Sequence, residues 1–253
     1  MGTVVTFVVH TPAPDLVVKA ALGEAVEWLH WVDATFSTYK EGSEVNRFDR
    51  GELSAADCSP ELAHILALCH RLSGETGGFF DAWATGHLDP SGVVKGWSID
   101  RASEILVDHG LADHLIDAGG DLRFRGSPLD GERWVIGIRH PLDKSAFSAA
   151  LVLAEGAVAT SGIYERGLHV LDPFTGKPAT ALASVTVVGP DLTTSDAYAT
   201  AALAMGADAP GWLEGLAGYE SQVMTPDGHG WWTPGFARLR ADAVRPSRGT
   251  VVC

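Results

Sequence analysis

The residues with most chemical reach gather in one stretch, Ala157 to Thr175, closed by Gly176. An apolar, strand-like lead from Gly156 to Ala159 runs into the polar Thr160-Ser161-Gly162. A short arm returns at His169-Val170-Leu171 and ends in Asp172-Pro173-Phe174-Thr175-Gly176, a run dense in turn residues. This spacing predicts a hairpin-like element that carries two hydroxyls, Tyr164, His169 and Asp172. Binding and catalytic groups concentrate on loops held by a rigid scaffold, although a plain surface hairpin fits the same spacing. His169 is the one histidine set in a polar, turn-rich cluster, which makes it the general-base candidate, because imidazole titrates near neutral pH.

Further along, Asp196 and Thr200 lie four apart on an expected helix, so their side chains share a face one turn apart. A carboxylate and a hydroxyl there suit a hard cation such as Mg2+, and an aspartate early in a helix equally complements the helix dipole. Lys95, near Asp89 in sequence, is either a phosphate contact or a solvated charge. Gly119-Gly120, ahead of Asp121, lets a backbone approach a phosphate or a flat ring, or forms a bulge. It is no dinucleotide fingerprint, since no G-x-G-x-x-G opens a helix. The chain also lacks G-x-S-x-G, a Walker loop and H-E-x-x-H, so Ser161 has no support as a hydrolase nucleophile.

These groups need a scaffold, and the pattern supplies one. Val4 to His10 reads as a strand rich in β-branched residues. Asp15 opens a helix to about Ser37, and Ser59-Pro60-Glu61 starts another that runs to Gly77-Gly78. Val93 to Asp108 reads as a helix entered through Lys95-Gly96-Trp97. Leu115 to Phe124 reads as strand, glycine bend and strand, followed by strands at Trp134–Ile138, Ala149–Leu153 and Ala183–Val188. Thr194-Ser195 caps a helix to Met205, and a shorter helix covers Pro210 to Leu216. Gln222–Met224 and Trp231-Trp232 are short strands. No repeat or linker interrupts the series. The expectation is a single α+β domain over residues 1–240, a mostly antiparallel sheet with flanking helices, and a weakly patterned tail over 241–253.

Composition narrows the function classes. With 46% hydrophobic residues in 253, the chain has enough apolar material for a core and falls outside disordered and collagen-like classes. A net charge of -14 argues against nucleic acid and anionic membranes as partners, and is compatible with a divalent-cation site. Three cysteines without close spacing suggest free thiols in a reducing compartment. No run of about 18 apolar residues exists, so membrane insertion is not expected.

Taken in order, the segments resemble the ApbE family, the FAD:protein FMN transferases, over nearly the whole chain. Met1-Gly2-Thr3 resembles the M-G-T opening, and Ser37-Thr38-Tyr39 with Ser43-Glu44-Val45-Asn46 resembles an S-T-Y…S-E-(I/V) segment. Gly78-Phe79-Phe80-Asp81 resembles G-x-F-D; Leu88-Asp89 through Lys95-Gly96 and Asp100 resembles the D-L…K-G…D region. Asp117-Ala118-Gly119-Gly120-Asp121 is similar to N-x-G-G-D. Ala159-Thr160-Ser161-Gly162, His169 to Pro173 and Gly176 resemble A-T-S-G…H-I-(I/L)-D-P-x-T-G, and Asp196-Ala197 with Thr200-Ala201 resembles A-D-A-x-x-T-A. Each motif is weak alone; seven in sequence order are specific.

The resemblance implies an enzyme that takes FAD as substrate with Mg2+ and moves FMN onto a threonine or serine of a target protein, releasing AMP. The target would carry a D-x-S-G-A-(T/S)-like segment. Carried over to this chain, His169 would take the proton from the acceptor hydroxyl. Asp196, Thr200 and the main-chain carbonyl of Gly92 would hold Mg2+. Tyr39, Phe79, Phe80, Asp81, Asp89, Lys95, Gly119, Gly120, Thr160, Ser161 and His169 would line the FAD site, with Met1 over the ring. The chain departs from the family pattern in a shortened Asp81–Asp89 segment, in Thr193 where many members have an acid, and in Asp117 for the usual Asn. It shows neither signal peptide nor lipobox, so a cytoplasmic version is expected. Two other readings share these residues: a Mg2+-dependent FAD pyrophosphatase giving FMN and AMP, and a non-catalytic flavin-binding protein.

Overall fold

Neighbouring residues on the central strands point into two different cores, and this alternation fixes the layering. On β2 (His114–Ala118) Leu115 enters one core and Ile116 the other. On β6 (Gly156–Gly162) Ala157 and Ala159 face one way and Val158 the other. A sheet covered on both faces is buried on alternate and intervening residues alike, which is why these strands read as continuous apolar runs. The computed structural model describes residues 2–129, 131–163, 170–241 and 250–252.

The large sheet has seven strands in the order β1-β2-β3-β6-β7-β8-β9, each antiparallel to its neighbour. Besides β2 and β6 these are β1 (Val5–Val9), β3 (Asp121–Arg125), β7 (Ser184–Gly189), β8 (Glu220–Met224) and β9 (Gly230–Trp232). One face carries the helices. α1 (Asp15–Phe36) buries Ala21, Ala25, Leu29, Val32 and Phe36, a three- and four-residue spacing that makes one helical stripe. α2 (Glu44–Asp49) is capped by Ser43, whose hydroxyl accepts from the Asn46 amide. α3 (Pro60–Glu75) has Pro60 in its first turn and Ser59 as its cap. α4 (Ser91–Asp108) packs against α1 and against α5 (Leu192–Met205), and α5 lies on β6 and β7. Every residue of α5 except Thr200 and Met205 is buried, as befits a helix between a sheet and another helix. The short α6 (Ala209–Glu214) and α7 (Pro234–Leu239) flank β8.

The other face carries a second, three-stranded sheet that the sequence did not announce. β4 (Trp134–His140) pairs antiparallel with β5 (Asp143–Leu153) and parallel with β10 (Thr250–Val252). Trp134, Ile136, Ile138, Leu151 and Leu153 close on Leu115, Leu122, Phe124, Val158 and Val188 of the large sheet, with Phe236 of α7 between them. The segment expected to be a weakly patterned tail over 241–253 therefore supplies β10. The expected antiparallel, helix-flanked α+β domain is what is found, with this small sheet added.

The hairpin expected from Ala157 to Gly176 is different. β6 pairs with β7 over Ala157–Gly162 and with β3 over Gly156–Val158, and the described part of the returning arm, Val170-Leu171, is not among its partners. The turn at Asp172–Gly176 instead closes Val170-Leu171 onto Pro178-Ala179: Leu171 bridges Pro178, and the Ala179 amide donates to the Val170 carbonyl at 2.9 Å. The cap of α5 also differs: Asp191, not Thr194, is the N-cap, and its carboxylate accepts from the Thr194 amide at 2.7 Å. Cys58 and Cys69 are free thiols. Among the described residues no helix is long and apolar enough to cross a membrane.

Candidate functional site

Gly96 sets the separation of the two helices that carry Lys95 and Asp196. A Cβ there would stand 2.5 Å from the Leu192 carbonyl oxygen and 2.6 Å from Thr193 Cα, so α4 and α5 meet backbone against backbone. Lys95, one residue earlier, is thereby brought beside Asp196 of α5, with Nζ 3.2 Å from Oδ2. The same ammonium makes a still shorter contact with Asp121 Oδ2. Asp121 opens β3, and its Oδ1 accepts from the Thr160 amide of β6 at 2.9 Å. The side chains of Asp121 and Asp196 are 5% and 6% exposed, so this is a half-buried lysine between two buried carboxylates. Burial works against the Lys95 ammonium, but Asp121 and Asp196 outweigh it and hold its pKa above the ordinary lysine range. Lys95 is thus a cation paired with two carboxylates on the cleft wall, which removes the solvated-charge reading.

Asp100, further along α4, ties the start of α5 in place. Its Oδ1 accepts from the Leu192 amide at 3.0 Å; its Oδ2 accepts from the Thr193 amide at 2.9 Å and the Thr193 hydroxyl at 2.6 Å. Arg123 Nε lies 3.1 Å from Asp100 Oδ1. Burial pushes the Asp100 carboxyl up, and the donors from Thr193 and Leu192 partly offset it. Together with Asp191 these contacts satisfy the first amides of α5. Thr193, where an acid was expected by resemblance, is spent on Asp100 and is not part of the cleft wall.

Lys95, Asp121 and Asp196 open onto one cleft of about 560 Å3. Asp196 and Thr200 line it from α5, Gly92 and Lys95 from α4, and Thr160 and Ser161 from the end of β6. Tyr39, Phe79, Phe80, Asp81, Asp89 and Gly119, also expected there, line it too. Ser161 Oγ and Thr200 Oγ1 are 3.1 Å apart, and Thr160 Oγ1 is 2.9 Å from Thr186 Oγ1. The aromatic wall is built by the chain leaving α3: Gly77 and Gly78 take φ of +62° and +88°, and the Phe80 amide then donates to Thr76 Oγ1 at 2.9 Å. Phe80 lies over Gly92, where a Cβ would come within 3.1 Å of its ring, and Phe79 meets Phe174 edge-on at 4.9 Å. Tyr39 is 98% exposed at the cleft mouth. Asp81 and Asp89 hold their own loops, accepting from the Trp83 amide at 2.8 Å and the Ser91 amide at 3.1 Å.

Two expected residues, Met1 and His169, lie outside the described residues. Gly120 does not reach the cleft wall; its amide donates to Asp117 Oδ1 at 2.8 Å. Gly119 and Gly120, at φ +69° and +97°, form the two-residue turn between β2 and β3 rather than a bulge. Asp117 thus stabilises that turn, and burial raises its carboxyl pKa. Sequence reasoning passed over Asp121 as a site residue. Its signal was its place directly after the glycine pair, where the first residue of a strand can turn a side chain toward the loop end of the sheet. Val170, Leu171 and Pro173 were also missed as wall residues.

The donors suit a hard divalent cation. Asp196 and Thr200 present oxygens one helical turn apart, beside the Ser161 hydroxyl and the backbone of Gly92. The described wall contains no thiol and no imidazole.

Known proteins resemble this chain in sequence and in fold. The chain matches the sequence profile of the ApbE family over residues 1–86 and 83–221. A Vibrio cholerae protein named FAD:protein FMN transferase is 32% identical over 130 residues, which is 47% of this chain and 39% of that protein. A Haemophilus influenzae protein of the same name is 26% identical over 242 residues, 70% of each chain. The chain therefore spans less than half of the Vibrio relative. The crystal structure of the ApbE protein from Thermotoga maritima superposes with a TM-score of 0.84 at 25% identity, covering 95% of this chain and 97% of that one.

Proposed function

Because the chain belongs to the ApbE family, we propose that it transfers FMN from FAD to a serine or threonine hydroxyl of a target protein and releases AMP. The observation that carries this reading is the convergence of aromatic, hydroxyl, carboxylate and ammonium groups from separate segments on one cleft of about 560 Å3. That volume falls within the range of roughly 300–1,000 Å3 typical of small-molecule sites. The names carried by the Vibrio and Haemophilus relatives support the same activity.

In the proposed reaction the acceptor oxygen forms a bond to the FMN phosphorus. The bond from that phosphorus to the bridging oxygen breaks, and its electron pair leaves on AMP. His169, assigned by resemblance, takes the acceptor proton. Phe79, Phe80 and Tyr39 offer flat apolar surface for a ring system. Lys95 supplies positive charge near the phosphates, and Asp121 anchors it. Asp196, Thr200 and the Gly92 carbonyl would hold Mg2+, which supplies charge neutralisation as the pyrophosphate bond breaks. The target is proposed to present a D-x-S-G-A-(T/S)-like segment.

The test is AMP release from FAD with Mg2+, with and without a protein carrying such a segment, followed by the intact mass of that protein. AMP release together with a gain of one FMN is the expected result. Free FMN and AMP with an unmodified target would make the protein a pyrophosphatase, and tight FAD binding without AMP would make it a carrier.

A further inference from the structure

The ammonium of Lys95 contacts both buried carboxylates unequally. Its contact with Asp121 is the shorter, and Asp121 is itself anchored by the Thr160 amide. Its contact with Asp196 is longer, at 3.2 Å. Asp196 is also the only carboxylate assigned to the metal in the proposed function, so one carboxylate serves two cations. Two cations near one carboxylate repel each other strongly where water is scarce.

We propose that Lys95 is a built-in counter-ion for the metal-free site: it leans on Asp196 when no metal is bound, and withdraws onto Asp121 when a divalent cation takes Asp196. This inference rests on the reading that Asp196 is a metal ligand. The geometry assigns the two contacts different tasks. The Asp121 contact is permanent, because Asp121 is fixed from β6. The Asp196 contact is provisional, and the flexible four-carbon stem of lysine allows it to lengthen without moving α4. Without Lys95, the metal-free protein would lose the one ammonium that both buried carboxylates contact, and leaving buried charge less well paired is costly. The charges also follow the cycle. Two aspartates and one lysine leave a net charge of about -1 before metal arrives and about +1 afterwards, the sign that attracts a pyrophosphate. Among the described residues no three His, Cys, Asp or Glu side chains cluster as a metal site, so competition for Asp196 weighs heavily on affinity.

The test is calorimetric titration of Mg2+ into the metal-stripped full chain, alongside melting temperatures in EDTA and in Mg2+. Lys95→Met is expected to bind Mg2+ about ten-fold more tightly than the wild type, with a larger rise in melting temperature on adding Mg2+. Equal or weaker affinity would overturn the inference. Lys95→Gln keeps a donor for Asp121 without the charge and repeats the measurement if Lys95→Met does not fold. Variants that fold in Mg2+ and unfold in EDTA, where the wild type does not, would support it. Variants unfolded even in Mg2+ would make Lys95 a structural cation and overturn it. Asp196→Asn separates the two readings. If it abolishes Mg2+ binding while the Lys95 variants bind like the wild type, only the counter-ion inference fails. Unchanged binding in Asp196→Asn, or no Mg2+ binding to any of the proteins, removes the metal reading and the inference together.

Discussion

Asp196 lines the cleft from a buried helix, but it makes little of the aromatic surface that a flavin would need. Asp196→Ala is therefore expected to bind FAD within a few-fold of the wild type and to lose AMP release on the order of 100-fold, by loss of charge stabilisation at the phosphates. Flavin fluorescence measures the first and chromatography of nucleotides the second; retained AMP release would remove Asp196 from the mechanism. A second prediction concerns His114, fully buried on β2. Its Nδ1 is 2.7 Å from the Leu111 carbonyl, which can only accept, so Nδ1 carries the proton and Nε2 accepts from the Ser103 hydroxyl at 2.7 Å. Burial holds its pKa below the ordinary histidine value. The unfolded chain then binds a proton that the folded one refuses, so stability is lost as pH falls below about 6.5 and onward toward the folded pKa. Denaturant midpoints should fall from pH 7 to 5 in the wild type and fall less in His114→Gln. Residue types alone drew attention to Asp196, Thr200 and Lys95. They could not reveal that Lys95 has two carboxylate partners, because Asp121 and Asp196 come from elements far apart in the chain.

Helices and strands place these residues through close approaches that only small side chains allow. Gly96→Ala adds a Cβ that would stand 2.5 Å from the Leu192 oxygen, a backbone atom that cannot swing away. It is expected to destabilise the fold by about 1–3 kcal/mol, the usual cost of overpacking, and to weaken activity by parting Gly92 of α4 from Asp196 and Thr200 of α5. A denaturant curve equal to wild type would show that α4 and α5 can separate freely. Amphipathic α1 and α3 were legible because their apolar residues repeat every three or four positions. α5 was legible as a helix but its start was misplaced: it is buried nearly all round, so periodicity does not mark an end, and three polar residues in a row compete with Asp191 as cap. α2, at six residues, is too short to show a period. The pairing of β6 was misread because sequence shows that a strand is apolar without showing which strands flank it.

At the scale of the molecule, the second sheet is closed by a strand from the far end of the chain. Truncation after Ala241 removes β10 and bares the edge of β4. The expected loss is about 1–2 kcal/mol, or roughly 2–8 °C in melting temperature for a domain of this size. Self-association on size-exclusion chromatography should accompany it, because an open edge invites pairing. An unchanged profile would make β10 dispensable. The cleft itself gathers its wall from Ser37–Tyr39, from α4, from β3, from β6 and finally from Asp196 and Thr200. On the ribosome, where domains assemble as their last contributing segment emerges, this order has a plain result. A polypeptide that stops before Leu192 already carries Tyr39, Lys95 and Asp121, yet it has no second helix to close the cleft against. A chain that stops there lacks the helix that carries Asp196 and Thr200, so under the proposed function no FMN transfer is expected from it.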